Sequence, residues 1–207
     1  MARRRGIRNF DYTRKRQALL KRCALFALSQ ATLRPSLRQF ANAVGVSEPT
    51  LRHYFGSREG LVIAILTRVG GVTARAWRLP PSSRQTARPD RTLPALFEAG
   101  EGAVAQHGFL LAHVLGMTEA VANARLADAY IDTVIEPSLT VIERELVRSG
   151  VGRATTESAR AASLSILATT LFVACHHMMS RRVPCRSGDL RPVLSYLEHW
   201  MVRGLTR

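Results

Sequence analysis

Ser36–Phe55 reads SLRQFANAVGVSEPTLRHYF, two short helices joined by a tight turn. Leu37, Phe40, Ala41 and Val44 recur at i, i+3, i+4 and i+7, the apolar stripe of one helix. Gly45 follows with no Cβ, so the chain can leave that helix through a left-handed residue. Val46 is apolar and fills the angle between the helices. Ser47 is a good N-cap, and Pro49 falls in the first turn, where a missing N–H costs little. Leu51 and Phe55, four apart, turn toward a core, while Thr50, Arg52, His53 and Tyr54 turn outward. Helix, three-residue turn and a donor-rich helix is the pattern of helix-turn-helix DNA-binding proteins. An ordinary helical hairpin would show the same apolar spacing, so the choice rests on the flanking sequence and on where the charge lies.

The charge is uneven. The 207 residues carry 30 Lys/Arg against 15 Asp/Glu, a net +15. Residues 1–71 hold 14 basic and 3 acidic side chains, whereas residues 72–207 hold 16 and 12. A positive field concentrated on the segment carrying the hairpin is what phosphate binding requires. A membrane surface would attract the same field, but residues 3–8, RRRGIR, lack the bulky apolar face of an amphipathic anchor. No apolar run reaches bilayer length without a charged residue or His, and no signal-peptide core follows the first basic residues, so a cytoplasmic location is expected. Cys23, Cys175 and Cys185 show no CxxC spacing and fit reduced thiols. Cys175, His176, His177 and Cys185 could be soft metal ligands, but adjacent histidines on a helix diverge by about 100°. No metal or cofactor is expected.

Outward from the hairpin, residues 1–12 form an Arg-rich arm without periodicity, either a solvated tail or a minor-groove arm. A first helix is expected from about Thr13 to Ser29, with Leu19, Leu20, Cys23, Phe26, Ala27 and Gln30 on one face. After Phe55, Ser57 caps a further helix that carries Glu59 in its first turn and Leu61, Ile65 and Val69 along one stripe. Phe40–Ile65, FANAVGVSEPTLRHYFGSREGLVIAI, resembles the DNA-binding region of the TetR family of bacterial transcriptional regulators. The matching features are the alanine-rich first helix, Gly45-Val46-Ser47, Thr50-Leu51, Phe55, and Ser57-Arg58-Glu59 before Leu61. The resemblance covers residues 13 to about 70. The family usually has Tyr at Arg52, commonly Lys at Arg58, and often Gly where Ala31 or Thr32 stands. Arg52 keeps donor capacity and adds charge, and Arg58 keeps charge with a different contact geometry.

The DNA-facing set is thus Arg38, Ser47, Glu48, Pro49, Thr50, Arg52, His53 and Tyr54, with Arg58 at a helix N-terminus expected against a phosphate. The resemblance implies an all-α fold with a helix-turn-helix domain at 13–70 and a ligand-binding and dimerisation bundle at 71–207. It further implies a homodimer on a palindromic double-stranded operator, usually a repressor, released by a small molecule.

In the second region, RLPPSSRQTARPDR (78–91) cannot be one helix. Leu93, Leu96, Phe97, Gly100 and Val104 then mark an amphipathic helix ending near His107-Gly108. Phe109–Met117 is apolar, Thr118 is placed to cap a long helix through Leu146, and Pro137 must kink that helix or shift its hydrogen bonding. A small-residue helix follows to about Ser180, then Pro184 breaks the chain and Ser187 caps a last helix. Phe109, His113, Met117, Tyr130 and Phe172 combine apolar bulk with polar handles, and either wall an effector pocket or fill the core. Leu194, Leu197, Trp200 and Met201 give the last helix a broad apolar stripe, suited to a dimer interface with the small-residue helix.

An enzyme would need a motif such as GxSxG, a P-loop, HExxH or a dinucleotide fingerprint, and none is present. The remaining alternative is a basic, helical nucleic-acid-binding protein whose C-terminal domain serves only dimerisation.

Overall fold

The computed structural model describes residues 5–30, 33–80, 89–105, 107–150 and 156–180, with 195–196, 199–200 and 203. The linker residues 81–88, the break at Pro184, Cys185, the cap at Ser187, and Leu194, Leu197 and Met201 lie outside the described residues. Every regular element among the described residues is helical: α1 (Arg5–Ser29), α2 (Leu37–Ala43), α3 (Glu48–Phe55), α4 (Arg58–Ala76), α5 (Pro89–Ala105), α6 (His107–Ala120), α7 (Ala124–Tyr130), a π-turn (Ile131–Ile135), α8 (Glu136–Arg148) and α9 (Thr156–Ser180). The fold is all-α, with an N-terminal helix-turn-helix head and a larger helical bundle.

The chain clusters into two compact units that do not follow chain order. The head lies within Met1–Arg68 plus Val114–Tyr130, and the bundle within Val69–His113 plus Ile131–Arg207. Helix α6 therefore contributes its first half to one unit and its second half to the other.

In the head, α1 begins well before Thr13, so residues 5–12 are helical rather than an aperiodic arm. Asp11 helps to hold this early turn, bridging to Arg14 and Lys15 one turn on. Leu19, Leu20, Cys23, Ala24 and Ala27 form its buried stripe. The stripe meets Leu37, Phe40, Ala41 and Val44 of α2, Leu51 and Phe55 of α3, and Leu61, Val62, Ile65 and Leu66 of α4, all buried. Phe26 and Phe40 meet edge to face at 5.5 Å.

The junction expected at Thr118 is absent. Helix α6 runs through Thr118 and ends at Ala120, and Asn123 starts α7, its side chain accepting from the Leu126 N–H. Glu119, beside Thr118, is thus not in the first turn of a helix but fully buried near the end of one. Gly116 makes room in this part of the head: a Cβ there would lie 2.1 Å from the Tyr130 ring.

Past Tyr130 the backbone widens into a π-turn, and Pro137 follows in the first turn of α8. The wider register accommodates the N–H that proline lacks, so of the two outcomes expected at Pro137, a kink or shifted hydrogen bonding, the second is found. At Gly70 a Cβ would lie 1.8 Å from the Thr133 carbonyl oxygen, a backbone approach that only glycine allows.

The bundle core gathers Trp77, Leu93, Leu96, Phe97, Phe109, Leu139, Ile142, Leu146, Ile166 and Leu167. Helix α9 packs chiefly on α8 and α5. Its segment Glu157–His176, mean hydropathy 1.5, is long and apolar enough to cross a membrane, correcting the expectation that every such run is interrupted. Only Glu157 and Arg160 are charged within it, and both fall in its first turn. One face, Ala159, Ala162, Ser163, Ile166, Leu167, Thr170 and Ala174, is buried in the bundle, as for a core helix.

Candidate nucleic-acid interface

The turn between α2 and α3 is fixed by local chemistry at both ends. Ser36 caps α2 in a reciprocal box: its Oγ accepts from the Gln39 N–H, and its own N–H donates to Gln39 Oε1 at 2.8 Å. The box was legible as Ser-x-x-Gln. Helix α2 ends with Gly45 at φ 64°, its N–H donating to Asn42 O and the Val46 N–H to Ala41 O. This paired closure satisfies carbonyls that a helix end leaves open. Ser47 Oγ then accepts from the Thr50 N–H and lies 2.8 Å from Thr50 Oγ1. Gly56, at φ 77°, closes α3 by donating to Arg52 O.

These caps fix which side of α3 faces outward. Leu51 and Phe55 are buried, whereas Ser47, Pro49, Arg52 and His53 are exposed and Glu48, Thr50 and Tyr54 half-buried. Arg38 is exposed on α2. Arg52 reaches back to Glu48, with Nη2 at 2.7 Å from Oε1. This pair faces water, contributes little to stability, and leaves Arg52 able to exchange its partner.

Two residues absent from the sequence-derived set support this surface. The Tyr12 ring of α1 stacks on Tyr54 at 4.9 Å and meets His53 edge-on at 5.7 Å. Arg16 donates from Nε to the Tyr54 carbonyl at 3.3 Å, its guanidinium 5.0 Å from the centre of the Phe55 ring. The signal for both was the spacing Tyr12, Arg16, Leu19, Cys23, once α1 is extended toward the N-terminus.

Arg58 departs from expectation. Although it opens α4, its donors turn inward: Nε to the Pro35 carbonyl at 2.8 Å, Nη1 and Nη2 to the two carboxylate oxygens of Glu119. Arg34 joins the same carboxylate through Nε at 3.3 Å, from a strained backbone at φ 47°. A guanidinium fork closed on a buried carboxylate is a structural tie, so the geometry does not present Arg58 to a phosphate. At the same helix start, Ser57 Oγ accepts from the Gly60 N–H. The Glu59 carboxyl is held below its usual range by a hydrogen bond from its own backbone N–H and by Ser57.

The residues expected around an effector are divided between the two units. In the bundle, Phe109 and His113 are buried with rings 4.8 Å apart, whereas Phe172 is 71% exposed on the outer face of α9. In the head, Tyr130 packs over Gly116 and Met117 is 39% exposed. The bundle brings together a different set: Trp77 meets Phe109 at 6.1 Å, and a Cβ on Gly100 would lie 2.9 Å from Thr170 Oγ1 and 3.1 Å from Trp77 Cη2. Trp77 Nε1 and Thr170 Oγ1 are buried without a hydrogen-bond partner. Burial pushes the His113 imidazole down to about 4, so it is neutral at pH 7. Of the dimer set only Trp200 is described; it is 63% exposed, its ring 5.7 Å from that of Tyr196.

No family model matches the chain, and no curated protein is similar to it. Among solved structures it is similar to the fatty acid degradation regulator FadR from Bacillus halodurans, with a TM-score of 0.61 and 17% sequence identity. The alignment covers 91% of this chain and 94% of that one. At this identity the likeness is one of fold.

Proposed function

We propose that the protein is a TetR-like transcriptional regulator that binds a palindromic operator as a homodimer and is released by a small molecule. The observation that carries this reading is α3: a capped helix with a buried apolar face and a donor-bearing outer face, set in the strongly basic part of the chain. Arg38, Thr50, Arg52, His53 and Tyr54 would read bases and phosphates in the major groove, with Ser47, Glu48 and Pro49 at the opening of the helix. Arg58 is left out of this set and holds the head together instead. The likeness in fold to a regulator supports the same class. Repression and a cytoplasmic location belong to the reading.

One eight-residue recognition helix spans too few base pairs to find a site in a genome, so two heads are needed. Helix α9 offers a surface for pairing: Ala161, Leu164, Ser165, Ala168 and Phe172 form one exposed stripe of small residues punctuated by two bulky ones. Trp200, with Leu194, Leu197 and Met201 on the same expected stripe, would extend it. The effector would enter the bundle at Trp77, Phe109, His113 and Thr170, where a buried N–H and a buried hydroxyl lack partners that a polar ligand could supply.

Selection of bound sequences from a random DNA pool tests the reading. The expected product is an inverted repeat, bound by a protein that sediments as a dimer at micromolar concentration. Arg52→Ala should weaken binding to it by about 1–3 kcal/mol and relax one position per half-site. Uniform binding to every sequence at physiological salt would instead support a general nucleic-acid-coating protein, and a monomer would exclude the two-headed mechanism.

A further inference from the structure

The head contains a half-open cleft of about 500 Å³ between α1 and α4. Leu20, Ile63 and Ala64 make its apolar floor, and Arg16, Gln17 and Arg68 stand at its polar rim. We propose that this cleft binds an amphiphilic organic monoanion, a single carboxylate on a short apolar body.

Two observations carry the proposal. The volume lies in the range of small-molecule sites, and the floor buries an apolar body that a DNA backbone would not supply. The rim holds two guanidinium groups and no carboxylate. Four other arginines of the head have internal partners: Arg14 has Asp11, Arg52 has Glu48, and Arg34 and Arg58 share Glu119. Arg68 has no hydrogen bond or ion pair, and Arg16 uses only Nε, leaving both terminal nitrogens to donate. Two guanidiniums beside an apolar floor match one planar carboxylate, whose two oxygens accept paired N–H bonds.

The cleft also addresses α3. Arg16 holds the Tyr54 carbonyl at the last turn of the candidate recognition helix. A carboxylate bound by the terminal nitrogens of Arg16 would therefore share one guanidinium with that hold. This coupling rests on the DNA-binding reading, whereas the binding site does not.

The test uses the full-length protein without DNA and titrates octanoate by calorimetry. Octanol supplies the body without the charge, and inorganic phosphate the charge without the body. Octanoate should bind at least about tenfold more tightly than either control, and Arg68→Ala or Ile63→Asn should weaken it about tenfold. Because Arg68 is exposed, its removal leaves the core intact. Octanoate binding unchanged in both variants, or abolished by Thr170→Val alone, would place the ligand elsewhere and overturn the proposal. Phosphate binding as tightly as octanoate, or no octanoate binding at millimolar concentration, would overturn it equally. A second arm repeats the titration against the selected operator. If no operator emerges the regulator reading fails, while the DNA-free titration still decides the cleft.

Discussion

Head and bundle each bury one titratable side chain of α6, and they treat it in opposite ways. In the head, Glu119 is fully buried and met by Arg58 and Arg34 together. In the bundle, His113 is equally buried, and burial itself drives it neutral. The head thus specifies its geometry by a charge triad with few satisfactory arrangements. The bundle relies on apolar packing and tolerates polar atoms without partners, at Trp77 and Thr170. A region organised in the first way holds a recognition helix still, and one organised in the second way has polar capacity left for a ligand.

The sharpest break in this contrast is Glu119→Ala. It removes the carboxylate shared by Arg58 and Arg34, leaving Arg58 only the Pro35 carbonyl, and should cost about 3–5 kcal/mol in urea unfolding. A loss below about 1 kcal/mol would mean that the triad is incidental. His113 comes next. Its folded value of about 4 lies below the ordinary 6.5, so its contribution to stability is complete above pH 6.5 and is lost as the pH falls toward 4. Across that window the wild-type protein should lose about 3 kcal/mol more than His113→Leu, since each unit corresponds to about 1.4 kcal/mol. Parallel pH profiles for the two proteins would remove His113 from the account.

Gly100→Ala probes how tightly the bundle is filled around its polar cluster. The added methyl group meets Thr170 and Trp77, and a well-packed interior would resist it by about 1–3 kcal/mol in thermal melts. No change in melting temperature would mean that the cluster yields readily. The smallest effect belongs to Ser47→Ala, which removes the α3 cap and should cost about 1 kcal/mol. The same variant should reduce operator binding in proportion to the fraying of α3; full affinity would show that α3 needs no cap.

Much of the head was legible because its turns are set by residues acting on their immediate neighbours. Gly45, Ser47, Pro49 and Ser57 each act within about one turn of helix, and each stands where the sequence placed it. Arg58 was misread for the complementary reason. Its partner lies 61 residues away, and nothing near Thr118-Glu119 in the sequence marks a carboxylate as buried. The bundle was harder throughout. Phe109 and His113 lie with rings 4.8 Å apart, but Phe172 was drawn to them by apolar character alone, and its place on α9 puts it on the outer face. Trp77 and Thr170 were not seen as a pair, because no local rule links Thr170 to a tryptophan some ninety positions earlier.

The tie between Arg58 and Glu119 also sets a schedule. Arg58 is made well before its partner: the carboxylate that neutralises its guanidinium emerges from the ribosome 61 residues later. At roughly 5–20 residues per second, that delay lasts several seconds. Throughout it, α1 to α4 are made but unfinished, with Arg58 unpaired and the Pro35 segment held by one bond fewer. The head is therefore still incomplete when α1 to α4 have been made, and the nascent chain must protect them until α6 arrives.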